Sequence, residues 1–467
     1  MRIQVASEIR LDGVPDWLRQ KLVERFTISN PAWQEKKRLG RWLGQTPRQL
    51  AFYGRFRESL FLPRGFVRQL LSLCRSHDLP FEFVDQRRAL PPEEYSFLGQ
   101  LRPFQVEAVE AVALRDFGTL TAPTGAGKTL MALWLIAHRR QPALIVVHTR
   151  ELMEQWLDRV RVFLGIPPEE IGLIGGGKKR VGKRVTVALV QSLYRCARDV
   201  SPQIGHLIVD ECHRTPARTF SEGVSAFDSK YMLGLSATPW RRDNLTRLIF
   251  WYLGDLAHRV DQAGLLESGD VLSAEVVLRE TGFRPSCDPV GEYPQMISEL
   301  TQDRERNVLI AGDVALEAGQ TGGVCLILSD RKAHCEAIRS LLDERGVGSE
   351  LLTGDLPRED RQRVVERVQA GQVRVLVATG QLIGEGFDCR ELTTLFLATP
   401  IRFDGRLLQY LGRVLRPAPG KDRAQIYDYV DVNVGVLVNA ARARQKVYRG
   451  NKKSRAALGT EEAAREG

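Results

Sequence analysis

The sequence predicts an α/β protein in which two consecutive parallel-sheet domains follow a small N-terminal accessory domain. In two stretches of the chain, short apolar runs rich in β-branched residues alternate with longer amphipathic segments, as in βαβ units. The strand candidates are 144–147, 185–190 and 207–209 in the first stretch, and 324–328, 373–377 and 394–397 in the second. Their continuous apolar character indicates strands that are buried on both faces of a parallel sheet.

Composition narrows the class of protein. Hydrophobic residues make up 43% of the chain and charged residues 27%, which excludes wholesale disorder. No apolar run approaches the roughly 18–20 residues of a membrane span, and no signal-like apolar stretch follows Met1, so we expect a cytoplasmic protein without a membrane partner. The seven cysteines include no CxxC pair, which argues against a zinc ribbon or a disulfide framework.

The chain is basic. Its net charge is +10, and arginines outnumber lysines 54 to 13. A positive balance suits an anionic partner, and arginine suits bidentate phosphate contacts. Genome composition explains the arginine excess equally well, so charge alone does not identify the partner.

We expect five segments along the chain. They are an N-terminal accessory domain at 1–95, a first α/β domain at 98–245, a connecting segment at 246–304, a second α/β domain at 305–445, and a basic-to-acidic tail at 446–467.

The accessory domain mixes aromatic and basic residues. Phe52, Tyr53, Phe56, Phe61 and Phe66 interleave with Arg55, Arg57, Arg64 and Arg68. Such a mixture suits backbone contacts and base stacking on DNA, but aromatics also build the core of a small domain. We expect most of the aromatics in the core and the arginines on an accessory DNA-binding face.

A glycine-rich turn, Ala122–Thr129, follows a strand-like stretch and opens a helical segment. In that context backbone N–H groups and the helix dipole favour a bound phosphate. We expect ATP to contact Thr124, Gly125, Ala126, Gly127, Lys128 and Thr129, with Lys128 at the β- and γ-phosphates and Thr129 on Mg²⁺. The first position of the usual pattern is glycine, whereas this chain has Ala122.

Two carboxylates, Asp210 and Glu211, follow the buried strand 207–209. In a phosphate-loop protein this placement favours Asp210 as a Mg²⁺ ligand and Glu211 as the group that orients and deprotonates the attacking water. In isolation the pair would indicate a solvated acidic turn.

These motifs resemble motifs I, II and III of superfamily 2 helicases and translocases: Ala122–Thr129, Asp210–His213 and Ser236–Thr238. The resemblance implies two tandem RecA-like domains. Leu101–Gln105 resembles the Q-motif, which implies that Gln105 reads adenine. Thr149–Leu152 resembles motif Ia and Val187–Leu193 the motif after it, which implies nucleic-acid contacts at Thr149, Arg150 and Gln191. Helix capping is the competing explanation for the hydroxyl residues.

The second half continues the resemblance. Ala378–Gly380 and Gly384–Asp388 resemble motif V, and Gln409–Arg416 resembles motif VI. The resemblance implies that Thr379 contacts nucleic acid, that Asp388 contacts the ribose or a neighbouring arginine, and that His213 and Gln409 couple the domains. It also implies that Arg413 and Arg416 stabilise charge on the transferring phosphoryl group, as an arginine finger does.

Within the superfamily, the chain resembles the XPB-like and UvsW-like group in Arg241–Asp243, Leu248–Gly254 and Tyr427–Asp431. This likeness implies an ATP- and Mg²⁺-dependent DNA helicase or duplex translocase in repair, recombination or genome defence, with Arg241 at the nucleic acid. It also implies a reduced thumb within the connecting segment 246–304. The expected partner is single-stranded, duplex or forked DNA, with a nuclease or repair protein as a further partner, and a monomer is favoured over a stable oligomer.

Two alternatives stay open. An RNA helicase shares the ATP chemistry, although the Leu-Arg-Pro form of the Q-motif and the Asp-Glu-Cys-His form of motif II argue against it. The motor subunit of a restriction or defence complex, whose nuclease is a separate subunit, is the second.

Overall fold

The computed structural model describes residues 1–213, 223–237, 246–261, 264–265, 268, 272–320, 322–380, 383, 389, 391–401, 407, 410–412, 414–415, 418, 421 and 423–449. The chain divides into a first compact unit, Met1–Ala122 with Gly127–Val260, and a second that comprises Pro123–Ala126 and the chain from Asp261. Within the described residues, no helix is both long and apolar enough to cross a bilayer.

The N-terminal domain is built on a mixed five-stranded sheet. Its elements are β1 (Arg2–Val5), β2 (Glu8–Asp12), α1 (Asp16–Arg25), β3 (Thr27–Ser29), α2 (Pro31–Arg38), β4 (Gln49–Ala51), β5 (Gly54–Phe56), β6 (Ser59–Pro63), α3 (Val67–Ser76) and β7 (Glu82–Asp85). The strand order is β5-β6-β2-β1-β7, and β1 runs antiparallel to β2 but parallel to β7. Alternate residues of β1 and β2 are buried, so one face of the sheet carries the core.

An excursion leaves this sheet between α1 and β5. Strands β3 and β4 pair with each other alone, and α2 lies between them in the chain. We call residues Thr27–Ala51 the α2 arm. Helix α2 buries none of its residues.

The first α/β domain contains an eight-stranded sheet. Its elements are α4 (Pro103–Ala113), β8 (Phe117–Thr121), α5 (Lys128–Arg139), β9 (Ala143–Val147), α6 (Arg150–Leu164), β10 (Gly172–Gly175), β11 (Lys178–Arg180), β12 (Val185–Leu189), α7 (Val190–Leu193), α8 (Ala197–Val200), β13 (His206–Val209), β14 (Tyr231–Ser236), α9 (Arg247–Leu253) and β15 (Leu256–Arg259). The order is β11-β10-β12-β9-β13-β14-β8-β15, and every neighbouring pair except β10 and β11 is parallel.

The boundary of this domain differs from the expected one. Residues 246–260 were expected in a connecting segment, but α9 packs into the core of the first unit and β15 adds a parallel strand beside β8. Leu248, Ile249 and Leu253 are fully buried, so burial of apolar surface holds this segment in the first unit.

The N-terminal domain and the first α/β domain share one apolar core. The ring of Phe26 lies 4.5 Å from that of Trp251 and 5.0 Å from that of Phe66, measured between centroids. The backbone of Gly65 approaches α9 so closely that a Cβ there would lie 2.5 Å from Gly254 N and 2.6 Å from Trp251 O. The two domains are therefore packed as one body.

Arg64 is not on a DNA-binding face, contrary to expectation. Its side chain is 2% exposed, and its Nη1 donates to Ser229 O at 2.8 Å. Arg64 belongs to the N-terminal domain, and Ser229 lies in the loop that precedes β14. The guanidinium therefore links the N-terminal domain to the first α/β domain through this hydrogen bond. Arg55, Arg57 and Arg68 are exposed, as expected.

The second unit contains a parallel six-stranded sheet in the order β16-β21-β20-β17-β19-β18. Its elements are β16 (Ala274–Thr281), α10 (Tyr293–Gln302), α11 (Arg304–Gln320), β17 (Val324–Ser329), α12 (Lys332–Asp343), β18 (Glu350–Leu352), α13 (Arg358–Gln369), β19 (Val375–Thr379), β20 (Leu392–Leu397), β21 (Ala424–Asp431) and α14 (Gly435–Arg449). A small N-terminal domain is followed in the chain by two parallel-sheet domains, which confirms the predicted fold class.

The segment expected as a reduced thumb is a short packed helix. Met296, Ile297 and Leu300 of α10 form a small apolar cluster with Phe283 and with Val434 and Leu437 near the start of α14. This cluster fixes residues 283–300 to the second sheet's domain through its C-terminal helix.

Two buried ion pairs hold the C-terminal part of the second unit. Arg444 of α14 makes hydrogen bonds of 2.7–3.1 Å to both oxygens of Asp428, which is fully buried. Arg306 of α11 pairs with Asp431 at 2.8 Å. Since both carboxylates lie on β21, the last strand anchors two helices.

Candidate active site

Five adjacent parallel strands of the first sheet, β12, β9, β13, β14 and β8, end at one edge. The carboxyl edge of an open parallel sheet is where such folds bind ligands. The segments that follow these strands contain the candidate site residues: Gln191 after β12, His148 after β9, Asp210 after β13 and the phosphate loop after β8. Fold topology therefore gathers residues that are far apart in sequence.

The phosphate loop has the backbone that its glycines allow. Gly125 has a φ of 92° and Gly127 a φ of 81°, both in the left-handed region. Lys128 is the first residue of α5, and its Nζ donates to Ala122 O at 3.0 Å across the loop. Helix α5 thus directs its N-terminal end and one ammonium group at the loop, an arrangement that favours an anion.

Gln105 lies against this loop. It is buried near the start of α4, and its Oε1 accepts from the backbone N–H of Arg102 at 2.9 Å. Its Nε2 occupies the space where a Cβ of residue 127 would be, so the absence of a side chain at Gly127 allows the contact. Sequence reasoning placed Gln105 at the nucleotide, and the structure places it beside the loop.

Asp210 is held from two directions. Nε1 of Trp156, on α6, donates to its Oδ2 at 2.8 Å, and the backbone N–H of Glu211 donates to its Oδ1 at 2.9 Å. Both Asp210 and Trp156 are buried. The carboxylate orientation is therefore fixed before any ligand arrives.

Burial, and after it the charge of Glu211, raise the pKa of Asp210, while the Trp156 hydrogen bond and the charge of Lys128 oppose the rise; the pKa that results is about 6. Desolvation disfavours the carboxylate, and a nearby cation restores it. A carboxylate in this condition gains from a divalent cation, because the cation supplies the missing charge stabilisation.

Glu211 has an unusual backbone. Its φ is 44°, which is rare for a residue with a β-carbon. The Nδ1 of His213 lies 3.3 Å from Glu211 Oε2 and 2.9 Å from Ser236 Oγ at the end of β14. The strained turn thus brings Glu211, His213 and Ser236 into one polar group.

His148 connects this turn to the next strand end. Its Nε2 lies 3.2 Å from Glu211 O, and its own carbonyl accepts from Gln191 Nε2 at 3.3 Å. Gln191 is exposed, as a nucleic-acid contact must be. Thr149 caps α6 by accepting from Leu152 N at 3.3 Å, so the capping explanation holds for its hydroxyl; Arg150 beside it is exposed.

In the second unit, Thr379 ends β19 and is half-buried, opposite Ser329 of β17. The next residue, Gly380, accepts a 2.7 Å hydrogen bond from Tyr410 through its carbonyl. Five predicted site residues, Arg241, Asp388, Gln409, Arg413 and Arg416, lie outside the described residues.

The described residues at this strand edge fit a Mg²⁺–nucleotide. The loop and helix start offer N–H groups and Lys128 to phosphates, while Thr129 and Asp210 offer the oxygens that Mg²⁺ prefers. Within the described residues there is no cluster of three or more His, Cys, Asp or Glu side chains for a metal held by protein alone. A cation bound through one carboxylate and the phosphates matches this donor set.

Sequence reasoning missed Trp156 and His148 as parts of the site. Trp156 lies in α6, shortly after the motif at 149–152, and its position in the sequence gives no sign that its indole reaches Asp210 at the end of β13. A buried tryptophan needs a partner for its N–H, and this was the available signal.

Comparison with known families matches both α/β domains. The family model described as "Type III restriction enzyme, res subunit" matches residues 98–241. The model described as "Helicase conserved C-terminal domain" matches residues 302–418.

Relatives and solved structures extend these matches. The chain is 26% identical to the DNA 3'-5' translocase XPB2 of Sulfurisphaera tokodaii over 68% of this chain and 79% of that protein. It is 24% identical to the ATP-dependent DNA helicase uvsW of Enterobacteria phage T4 over 90% of this chain and 88% of that protein. A fragment of a putative HsdR subunit of a type I restriction enzyme from Vibrio vulnificus has the same fold, with a TM-score of 0.55 at 17% identity, covering 74% of this chain and 66% of that one.

Proposed function

This chain belongs to superfamily 2 of the helicases, in the XPB- and UvsW-like group of ATP-hydrolysing nucleic-acid helicases, and we propose that it is a DNA helicase or duplex DNA translocase driven by Mg²⁺–ATP. The observation that carries the proposal is the clamped Asp210 at the strand edge that also bears the phosphate loop. The relatives named as a DNA translocase and a DNA helicase support DNA as the substrate. We further propose that this motor acts in DNA repair, recombination or genome defence.

The proposal gives each candidate residue of the ATP site a role. Lys128 and the N–H groups of the loop bind the phosphates, Gln105 reads the adenine, and Thr129 and Asp210 hold Mg²⁺, which neutralises phosphate charge when bound. Glu211 orients a water molecule and takes its proton. Arg413 and Arg416 stabilise charge on the γ-phosphoryl group, and Asp388 contacts the ribose.

A second set of residues binds the nucleic acid. Arg150, Gln191, Arg241 and Thr379 contact the DNA backbone, which predicts salt-dependent binding without sequence preference. His213 and Gln409 couple ATP hydrolysis to this binding of DNA. The contact of Gln191 with the carbonyl of His148, whose ring faces the Glu211 turn, supports a short path between the two sets.

The test is the steady-state ATPase rate without nucleic acid and with single-stranded, duplex and forked DNA and with RNA. We expect strong stimulation by DNA, and little by RNA. Preferential stimulation by RNA would overturn the DNA assignment in favour of an RNA helicase. A rate that no nucleic acid stimulates would contradict an autonomous motor and favour the motor subunit of a larger complex, such as a restriction enzyme.

Matched variants identify the site. Lys128→Ala and Glu211→Gln should each abolish turnover, and Glu211→Gln should still bind ATP. Arg413→Ala should keep ATP binding and lose turnover. Lys183, whose side chain is 82% exposed, supplies the control, since Lys183→Ala should hydrolyse ATP normally. Normal ATP hydrolysis by the Lys128→Ala or Glu211→Gln protein would contradict the assignment of the ATP site.

A further inference from the structure

The α2 arm exposes two large apolar side chains to solvent. Trp42 is 86% exposed and Leu39 46% exposed. Helix α2 is eight residues long and buries none of them, whereas an isolated helix of that length is marginal in water. Strands β3 and β4 fix the base of the arm, because Ile28 and Leu50 pack against the core of the first unit, while the apolar groups of Leu39 and Trp42 remain available to a partner.

Asn30 is the polar centre that fixes the arm. It is 7% exposed. Its Oδ1 accepts from Ala32 N at 3.0 Å and caps α2, while its Nδ2 donates to Pro47 O at 2.8 Å. Its backbone N–H donates to Arg48 O at 3.0 Å. Three bonds from Asn30 close the arm at its base, beside the packed Ile28 and Leu50, and leave Leu39 and Trp42 exposed beyond it.

The charge of the arm has one sign. Residues 27–51 contain a single acid, Glu35, and the basic residues Lys36, Lys37, Arg38, Arg41 and Arg48. Two of these cations flank an aromatic ring: Lys37 Nζ lies 5.2 Å and the Arg48 guanidinium 5.7 Å from the centroid of Trp33. The two cations lie beside the indole of Trp33, and the indole of Trp42 is open to solvent. Together these groups form a basic, aromatic surface.

Such a surface matches a polymer that combines negative charge with flat apolar faces. An acidic peptide offers the charge but not the faces. Duplex DNA hides its base faces in the stack, although it offers phosphates. Single-stranded DNA offers both, because its bases stack on aromatic side chains while its phosphates meet lysine and arginine.

We propose that the α2 arm is a binding site for single-stranded DNA, in which a base stacks on Trp42 and the arm's cations bind the adjacent phosphates. The choice of DNA rests on the proposed function; the stacking rests on the arm itself. Because the arm belongs to the N-terminal domain, this grip is separate from the contacts proposed at the strand edge.

The experiment measures binding by the full-length chain, by fluorescence anisotropy, to a labelled oligodeoxythymidine and to a duplex of equal length, without nucleotide. Trp42→Ala should weaken single-strand binding about tenfold to a hundredfold, and leave duplex binding nearly unchanged. Trp42→Phe should restore most of the loss, because a phenyl ring still stacks. Trp17→Ala is the control, since Trp17 is 44% exposed in α1, outside the arm.

Three results would overturn the proposal: unchanged single-strand binding by Trp42→Ala, equal weakening of single-strand and duplex binding, or equal weakening by Trp17→Ala. Loss of binding to anionic phospholipid vesicles with single-strand binding intact would assign the arm to a membrane surface instead. Circular dichroism of each variant checks folding. Stimulation of the ATPase by DNA separates the two proposals. Single-strand binding that depends on Trp42, without any stimulation by DNA, would contradict the proposed motor and support the binding site on the α2 arm. Stimulation by DNA, with single-strand binding that does not depend on Trp42, would support the motor and contradict the site on the arm.

Discussion

The indole N–H of Trp156 donates a 2.8 Å hydrogen bond to Oδ2 of Asp210. The tryptophan lies on α6 and the aspartate follows β13. A helix that is separate from the phosphate loop in the sequence therefore orients the proposed Mg²⁺ ligand. An outer partner of this kind sets the position of a ligand and its affinity for the metal.

Replacement of Trp156 by phenylalanine should therefore weaken Mg²⁺ binding. We expect the Mg²⁺ concentration for half-maximal ATPase activity to rise about tenfold, because Asp210 loses its fixed donor. Titration of Mg²⁺ at saturating ATP measures the effect. Trp134→Phe, on α5 and stacked on His138, is the matched control and should behave as the parent does. A Trp156→Phe protein with the parent's Mg²⁺ requirement would show that the hydrogen bond is only structural.

Gly65→Ala should destabilise the first unit. A Cβ there would lie 2.5–2.7 Å from backbone atoms of Gly254, Trp251 and Phe250, and backbone cannot move aside as a side chain can. We expect a loss of about 1–3 kcal/mol in the free energy of unfolding. Urea denaturation followed by tryptophan fluorescence measures it. At Gly54 a Cβ would make only a 3.4 Å contact with Phe61, so Gly54→Ala should cost much less; similar losses would contradict the close packing.

The Arg444–Asp428 pair predicts a large effect in the second unit. Arg444→Ala leaves a fully buried carboxylate whose one remaining side-chain partner among the described residues is Tyr448, at 2.8 Å, so the free energy of unfolding should fall by about 3–5 kcal/mol. Arg442, two residues away on α14, is exposed, and Arg442→Ala should change stability by less than about 0.5 kcal/mol. Calorimetric melting of both variants tests the difference, and equal melting temperatures would contradict it.

Two buried histidines predict a loss of stability in mild acid. Burial lowers the pKa of His334 to about 3 and holds the pKa of His206 well below 6.5. In the unfolded chain both would titrate near 6.5, so below that pH the unfolded state binds protons that the folded state rejects. Stability is therefore complete above pH 6.5 and falls as pH drops, by about 1.4 kcal/mol per unit for each histidine.

Unfolding at pH 7.5 and 5.5 measures this slope. His334→Gln should flatten it by one histidine's share, whereas the exposed His77→Gln should not. A free energy of unfolding that is equal at the two pH values would mean that neither histidine is kept neutral by the fold.

The strands of both parallel sheets could be predicted closely from sequence. The prediction of 207–209 corresponds to His206–Val209, and that of 144–147 to Ala143–Val147. These strands are buried on both faces, so the apolar run itself marks their length. The prediction of 373–377 was two residues early, because Arg374 and Val373 precede a strand that runs to Thr379.

The N-terminal domain could not be predicted in the same way. Its strands are three to five residues long and alternate between the core and solvent, which gives a weak pattern. Arg64 was assigned to the surface because arginine is rarely buried, and only the meeting of two domains gives it partners. Contacts between distant segments, such as Trp156 with Asp210, leave no periodic signal in the chain.

The shared core of the N-terminal domain also has a consequence during protein synthesis. Phe26 and Phe66 leave the ribosome long before Trp251, which covers them in the finished protein. At about 5–20 residues per second, their apolar face waits about 10–40 s for its partner. The nascent chain therefore has an interval in which a chaperone, or an unwanted neighbour, can occupy the surface reserved for α9.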